Sequence, residues 1–156
     1  MRARCSDLHY ARVRSFTNDP EQAAEAAKWL RYARDDLAAA RELFDDALQG
    51  RVSFRNACYL SQQAGEKAMK SIFVALGIDP PRIHNLNALR EALPSGWAVR
   101  TVFPNLSALT VWAVEARYPA DLPEATRADA EAAIAMASGV VDTVADDFGR
   151  HGLAAE

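Results

Sequence analysis

The chain has little of what reactive or cross-linked proteins are built from. It carries 2 cysteines and 3 histidines among 156 residues. Cys5 and Cys58 form no metal-ligand or redox spacing, so neither a zinc site nor a disulfide framework is expected. Cys58 falls inside an apolar helical pattern and reads as a buried, inert thiol, which fits a reducing compartment. No stretch approaches the ~20 apolar residues of a membrane-spanning helix. The N-terminus holds Arg2, Arg4, Arg12 and Arg14 but no apolar core of a secretory signal. The expected location is therefore the cytoplasm, away from membranes. There is no glycine-rich phosphate loop, metal-ligand cluster or nucleophile elbow, so no cofactor and no metal are expected. The carboxylate doublets Asp35-Asp36, Asp45-Asp46 and Asp146-Asp147 are adjacent in sequence. Neighbours on a helix point in different directions, which makes them poor candidates for paired acid–base work.

What is present reads as helix. Half of the residues are hydrophobic and a quarter are charged, enough to bury one domain's core. A net charge of −3 argues against binding nucleic acid over the whole surface and leaves room for a local basic patch. Residues 1–19 show no clean period and read as an extension, an arm suited to holding a partner. Asp19-Pro20-Glu21 then supplies a cap, a proline for the first helical position and an acid for the first turn. The helix that follows places Leu30, Ala33, Leu37, Ala40 and Phe44 on one face and ends near Gly50. Arg31, Arg34, Asp35, Arg41, Glu42 and Asp45 form its solvated face. Ser53 caps a second helix running to Gly77, with Phe54, Ala57, Ala64, Ala68, Phe73 and Leu76 as its apolar stripe. Asp79-Pro80-Pro81 breaks the chain, and a short helix spans about 85–93. A fourth helix is expected from Pro104 to just before Pro119, because a residue that precedes proline is pushed out of helical angles. A last, alanine-rich helix is expected from Pro123 to Phe148, stopped by Gly149, with Ile134, Ala137, Val141 and Val144 on one face. No strand-like alternation or internal repeat appears. The expected fold is all-α, an antiparallel up-and-down bundle of four to five helices over 20–149, with a tail at 150–156.

Four ordered pieces resemble one known family. The longest runs from Arg55 through Tyr59, Gln62, Gln63, Glu66 and Lys67 to Lys70. It is followed by Leu76-Gly77-Ile78 and Pro81-Arg82-Ile83-His84-Asn85-Leu86. Leu30-Arg31-Tyr32-Ala33-Arg34-Asp35-Asp36-Leu37 precedes it, and Ala116-Arg117-Tyr118-Pro119 closes the series. Together they resemble the HEPN domain family, helical domains named for higher eukaryotes and prokaryotes and for nucleotide binding. The resemblance implies a homodimeric helical bundle. It also implies pairing with a small nucleotidyltransferase, as in a toxin–antitoxin system, and binding of nucleotide or RNA.

Nuclease members of that family use an arginine, four to six residues, then a histidine, a pair suited to metal-independent RNA cleavage. Neither His84 nor His151 has an arginine at that distance. His9 does, from Arg4 and Arg2, but it lies in the N-terminal extension, where an Arg-rich stretch supplies such spacings by chance. A catalytic residue is therefore not assigned. The polar series of the second helix is the stronger signal. Gln63, Glu66, Lys67 and Lys70 share a face at i, i+3, i+4 and i+7. One reading is a solvated stripe with a Glu66–Lys70 pair. The other is a polar groove that Arg82, His84 and Arg117 join, an anion site for a nucleotide or RNA phosphate. For His84 alone the first expectation is structural, capping the short helix or hydrogen-bonding to Glu66. Trp29, Trp97 and Trp112 are expected in the core or an interface. The leading expectation is a non-enzymatic, dimeric binding module. A metal-independent toxin ribonuclease with an atypical site around His84 and Arg82 or Arg117 is the alternative, and a ligand-free helical adaptor is a third.

Overall fold

The computed structural model describes residues 19–115 and 124–153, with the side chains of residues 114 and 115 left aside. Among them the chain is helical and has no strand: α1 Pro20–Leu48, α2 Phe54–Ala75, α3 Leu86–Ala92, α4 Val99–Val102, α5 Ser107–Thr110, α6 Trp112–Glu115 and α7 Arg127–Arg150. α2 is the central element, packed along α1, α7 and the short helices α3, α5 and α6.

The long helices begin where local chemistry starts them. The Asp19 side chain accepts the Glu21 N–H at 3.0 Å, with Pro20 in the first turn. Ser53 accepts the Arg55 N–H at 3.2 Å. Thr126 and Asp129 form a reciprocal capping box for α7, three residues after the start expected at Pro123. α2 ends in a Schellman motif: Gly77 at φ +69°, its N–H bonded to Val74 O and the Ile78 N–H bonded to Phe73 O. α7 ends the same way, beyond the stop expected at Gly149. It runs through Gly149 to Arg150, and Gly152 at φ +72° takes the left-handed position, with the Leu153 N–H on Phe148 O. A glycine stops a helix only where the flanking contacts close this ring of hydrogen bonds, and those contacts belong to Leu153.

The expected fourth helix is corrected. The chain forms α4, then a turn, then α5 and α6 separated at Val111. Asn87 on α3 accepts the Leu106 N–H at 2.7 Å and donates to Ser107 Oγ at 2.9 Å, while Asn105 accepts the Ser107 N–H at 2.9 Å. These side-chain bonds hold 103–106 as a turn in place of a helical first turn. The expected end before Pro119 lies outside the described residues.

The core joins Leu30, Leu37, Met69, Ile72, Leu86, Leu89, Leu106, Leu109, Val140, Val144 and Phe148. Trp97 is buried against Phe148, ring centroids 6.3 Å apart, whereas Trp29 and Trp112 are half-buried. Gly65 sits where α2 meets the short helices: a Cβ there would stand 3.3 Å from Leu109 and 3.7 Å from Leu86. Cys58 is fully buried, and burial pushes its thiol up to about 12, an unreactive state. No helix among the described residues is long and apolar enough to cross a membrane.

Candidate functional site

α2 is buried on almost every side, and its polar series is buried with it. Gln62 is 0 %, Glu66 6 % and Lys70 8 % exposed, so a solvated stripe is not what this face forms. Such groups remain inside only when each has partners, and here they satisfy one another. Gln62 donates from Nε2 to Glu66 Oε2 at 3.0 Å and to the backbone carbonyl of His84 at 3.3 Å. Gln63 donates to Gln62 Oε1 at 2.7 Å. Lys70 donates from Nζ to Glu66 Oε1 at 2.7 Å. His84 Nδ1 stands 3.1 Å from both Glu66 oxygens.

Glu66 is the hub of this cluster. Burial pushes its carboxyl up, but the hydrogen bonds from Lys70, Gln62 and His84, with the Lys70 charge, outweigh burial and hold it below the usual carboxylate range. It is therefore a carboxylate near neutral pH. The cluster ties residues 77–85, the segment after α2, back onto that helix. Asn85 then caps α3 through the Ala88 N–H at 3.0 Å, and Thr110 accepts the Leu86 N–H at 3.0 Å. His84 thus serves through Glu66, while the cap of α3 belongs to Asn85.

The residues read as one site divide in space. Gln63, Glu66, Lys70 and His84 come together. Lys67 turns the other way and pairs with Asp36 of α1, a contact that links the two long helices. Arg82 is exposed, and among the described residues nothing pairs with it. Arg117 lies outside the described residues. Sequence spacing left Gln62 out of the site, although it is fully buried and joins Glu66 to the His84 backbone. Its position four residues before Glu66 is the signal that identifies it. Both lysines are thus committed to carboxylates. The outward-facing groups are the His84 ring, 52 % exposed, and the Arg82 guanidinium two residues before it.

Elsewhere an open groove of about 490 Å³ runs between α1 and α7, lined by Phe44 and Ile134 and rimmed by Arg41, Asp45 and Glu131. Arg41 donates to Ser138 across it at 3.1 Å. Among the described residues no cluster of three or more histidine, cysteine, aspartate or glutamate side chains is placed to hold a metal ion.

Comparison with known proteins agrees with this architecture. The chain is similar to a solved structure described as the crystal structure of TT1696 from Thermus thermophilus. The two share 26 % identity with a TM-score of 0.64, over 78 % of this chain and 97 % of that one. No curated protein matches. The family model described as HEPN domain matches residues 26–147, the stretch from the first buried turn of α1 to the buried Asp147 of α7, and the chain belongs to the HEPN domain family.

Proposed function

We propose that this HEPN domain is a non-catalytic binding module that presents His84 and Arg82 to a phosphate-bearing ligand, nucleotide or RNA, while pairing with a small nucleotidyltransferase in a toxin–antitoxin-like system. The observation that carries the reading is the division of labour around Glu66. The buried lysine and carboxylate neutralise each other, and the ring anchored on them is turned to solvent, with Arg82, which pairs with none of the described residues, two positions away. A cation and an imidazole on one exposed loop suit a phosphate, which accepts hydrogen bonds from both. The nucleotidyltransferase partner rests on the family alone. A homodimer fits the apolar surface that the fold leaves open: Val102 is 56 % exposed and Val111 37 %, and Ala128, Ala132 and Ala135 of α7 face outward.

The test is isolation of the full chain from a strain that also expresses the neighbouring genes, followed by mass spectrometry of what accompanies it. A nucleotidyltransferase-like protein, nucleotide or RNA retained by the wild type and lost on Arg82→Ala and His84→Ala is expected. Retention of the same species by both folded variants refutes the reading. The exposed ring also supports a second reading, a metal-independent ribonuclease built on His84 with Arg82 or Arg117, which a cleavage assay separates from the first.

A further inference from the structure

The contact between Glu66 and His84 determines which edge of the imidazole faces solvent, and which nitrogen carries the proton of the neutral ring. An ionised carboxylate offers only lone pairs, so the ring nitrogen it meets must carry a proton. Glu66 is held ionised by Lys70 and Gln62, and both of its oxygens face Nδ1. The backbone is fixed as well, because Gln62 donates to the His84 carbonyl from one helical turn before Glu66. Two anchors on one face of α2 therefore leave the ring little freedom to flip. Among the described residues, the ionisable groups that meet Glu66 are Lys70 from α2 and His84 from the loop. Nε2 of His84 meets no described polar group, and the side chain is half exposed.

We propose that Glu66 is a positioning residue that keeps Nδ1 of His84 protonated and turns Nε2 outward, so that phosphate binding at the His84–Arg82 edge is coupled to uptake of one proton at Nε2. The coupling rests on the phosphate-site reading above; the positioning does not. In the neutral ring Nε2 is a bare acceptor and repels a phosphate oxygen. On protonation the same atom becomes a charged N–H donor directed at the ligand. Nothing else in the cluster has to move, because Nδ1 bonds to Glu66 in both states. The proton therefore acts at the ligand-facing atom alone. The ligand class is an oxyanion with at least two acceptor oxygens, one for Nε2 and one for the Arg82 guanidinium. Both a free nucleotide and an RNA strand offer one.

The experiment uses the full-length, isotope-labelled protein. Long-range proton–nitrogen correlation spectra distinguish the two neutral tautomers, and the His84→Ala variant identifies which signals are those of His84. The neutral wild-type ring is expected as the Nδ1–H form. Glu66→Gln, whose amide both donates and accepts, is expected to release that preference into a mixture. A neutral wild-type ring carrying its proton on Nε2 overturns the proposal without needing any variant to fold. Titration with inorganic phosphate then reads the coupling. Binding is expected to weaken as pH rises, by up to about tenfold per pH unit for a ligand linked to one proton, and His84→Ala is expected to lose that part of the dependence, leaving only phosphate's own ionisation. Phosphate binding that does not change with pH overturns the coupling. No phosphate binding at any pH, with the Nδ1–H form intact, removes the phosphate-site reading and leaves the positioning role of Glu66 standing. Parallel titrations with a nucleoside monophosphate and a short single-stranded RNA show which source of phosphate the edge prefers.

Discussion

Asp147 and Ala98 lie 49 residues apart in the chain, and the buried Asp147 carboxylate accepts the Ala98 N–H at 2.8 Å. The same oxygen accepts the Val99 N–H at 3.4 Å, and the second oxygen takes the Arg150 guanidinium at 3.2 Å. A residue of the last helix thereby satisfies the free backbone donors at the start of α4, which has no side-chain cap of its own. Asp147→Ala leaves those donors buried without an acceptor. Equilibrium urea unfolding is expected to show a loss of about 1–3 kcal/mol, the scale of abandoned buried hydrogen bonds. Amide exchange at Ala98 and Val99 should accelerate more than exchange in α2. Equal acceleration everywhere, with no added effect at α4, contradicts the capping role.

The two glycines nearest the ends of α2 and α7 should respond to alanine in opposite directions. Gly77 holds a left-handed backbone at φ +69°, and a Cβ there would stand 2.6 Å from Gln22 Nε2, which itself donates to Val74 O at 2.9 Å. Gly77→Ala is expected to destabilise by about 1–2 kcal/mol, the cost of left-handed geometry for an L-residue. Gly149 is an exposed helical residue with open space around its Cβ direction. Gly149→Ala is expected to stabilise by about 0.5–1 kcal/mol. Thermal unfolding of the pair checks both signs at once.

The contrast between those glycines shows what a sequence discloses. Asp19, Pro20, Ser53 and Gly77 act on residues within one turn of themselves, so the bounds of α1 and α2 were legible. α4 was not, because its cap comes from Asp147 on the far side of the chain. The helix expected from Pro104 was misplaced because Asn87, on another element, holds the turn before Ser107. The candidate site was legible in the same partial way. Spacing showed that Gln63, Glu66, Lys67 and Lys70 share a face of α2. It carried no information on what covers that face, and a covered polar stripe and a solvated one have the same period. Asp36 drew Lys67 aside, and the loop bearing His84 buried the rest.

The two lysines, read as equivalent members of one groove, should therefore behave differently. Lys67 and Asp36 form a partly exposed pair between α1 and α2. Pairs of that kind contribute about 0–1 kcal/mol, so Lys67→Ala is expected to unfold nearly as the wild type does. Lys70 is buried on Glu66, and removing it leaves a carboxylate with part of its compensation gone. Lys70→Ala is expected to cost about 3–5 kcal/mol. Near-equal denaturation midpoints for the two variants contradict the division seen around Glu66.

An RNA-cleavage assay separates a binding module from a ribonuclease directly. The arginine–histidine spacing used by nuclease members of the family is absent from His84 and His151. Incubation of the full chain with single-stranded RNA and a chelator is expected to give no cleavage above buffer. Cleavage abolished by His84→Ala, in a variant that keeps its helical circular dichroism, promotes the ribonuclease reading over the binding module. Cleavage that persists in that variant places the activity away from His84, and a His9→Ala variant separates the Arg4–His9 spacing from a contaminant.

The pH dependence of stability follows from Glu66. Its folded-state acidity is set by burial, which raises the pKa, against the larger combined effect of Lys70, Gln62 and His84, which lowers it. The net direction is down, so the folded state prefers the ionised form more than the unfolded chain does. The cluster then contributes its full stability above the ordinary glutamate pKa of about 4.3, and that contribution is lost as pH falls through the lower folded value. Glu66→Gln removes the charge and leaves Lys70 buried without its partner. At neutral pH the variant is expected to be less stable than the wild type by about 3–5 kcal/mol. The gap should begin to narrow below about pH 4, where the unfolded chain binds a proton that the folded carboxylate still refuses, and should close once pH has fallen through the lower folded value. Urea unfolding of both proteins at a series of pH values measures the gap. A gap that stays constant down to acid pH means that Glu66 acts through packing, and that its charge holds neither Lys70 nor His84 in place.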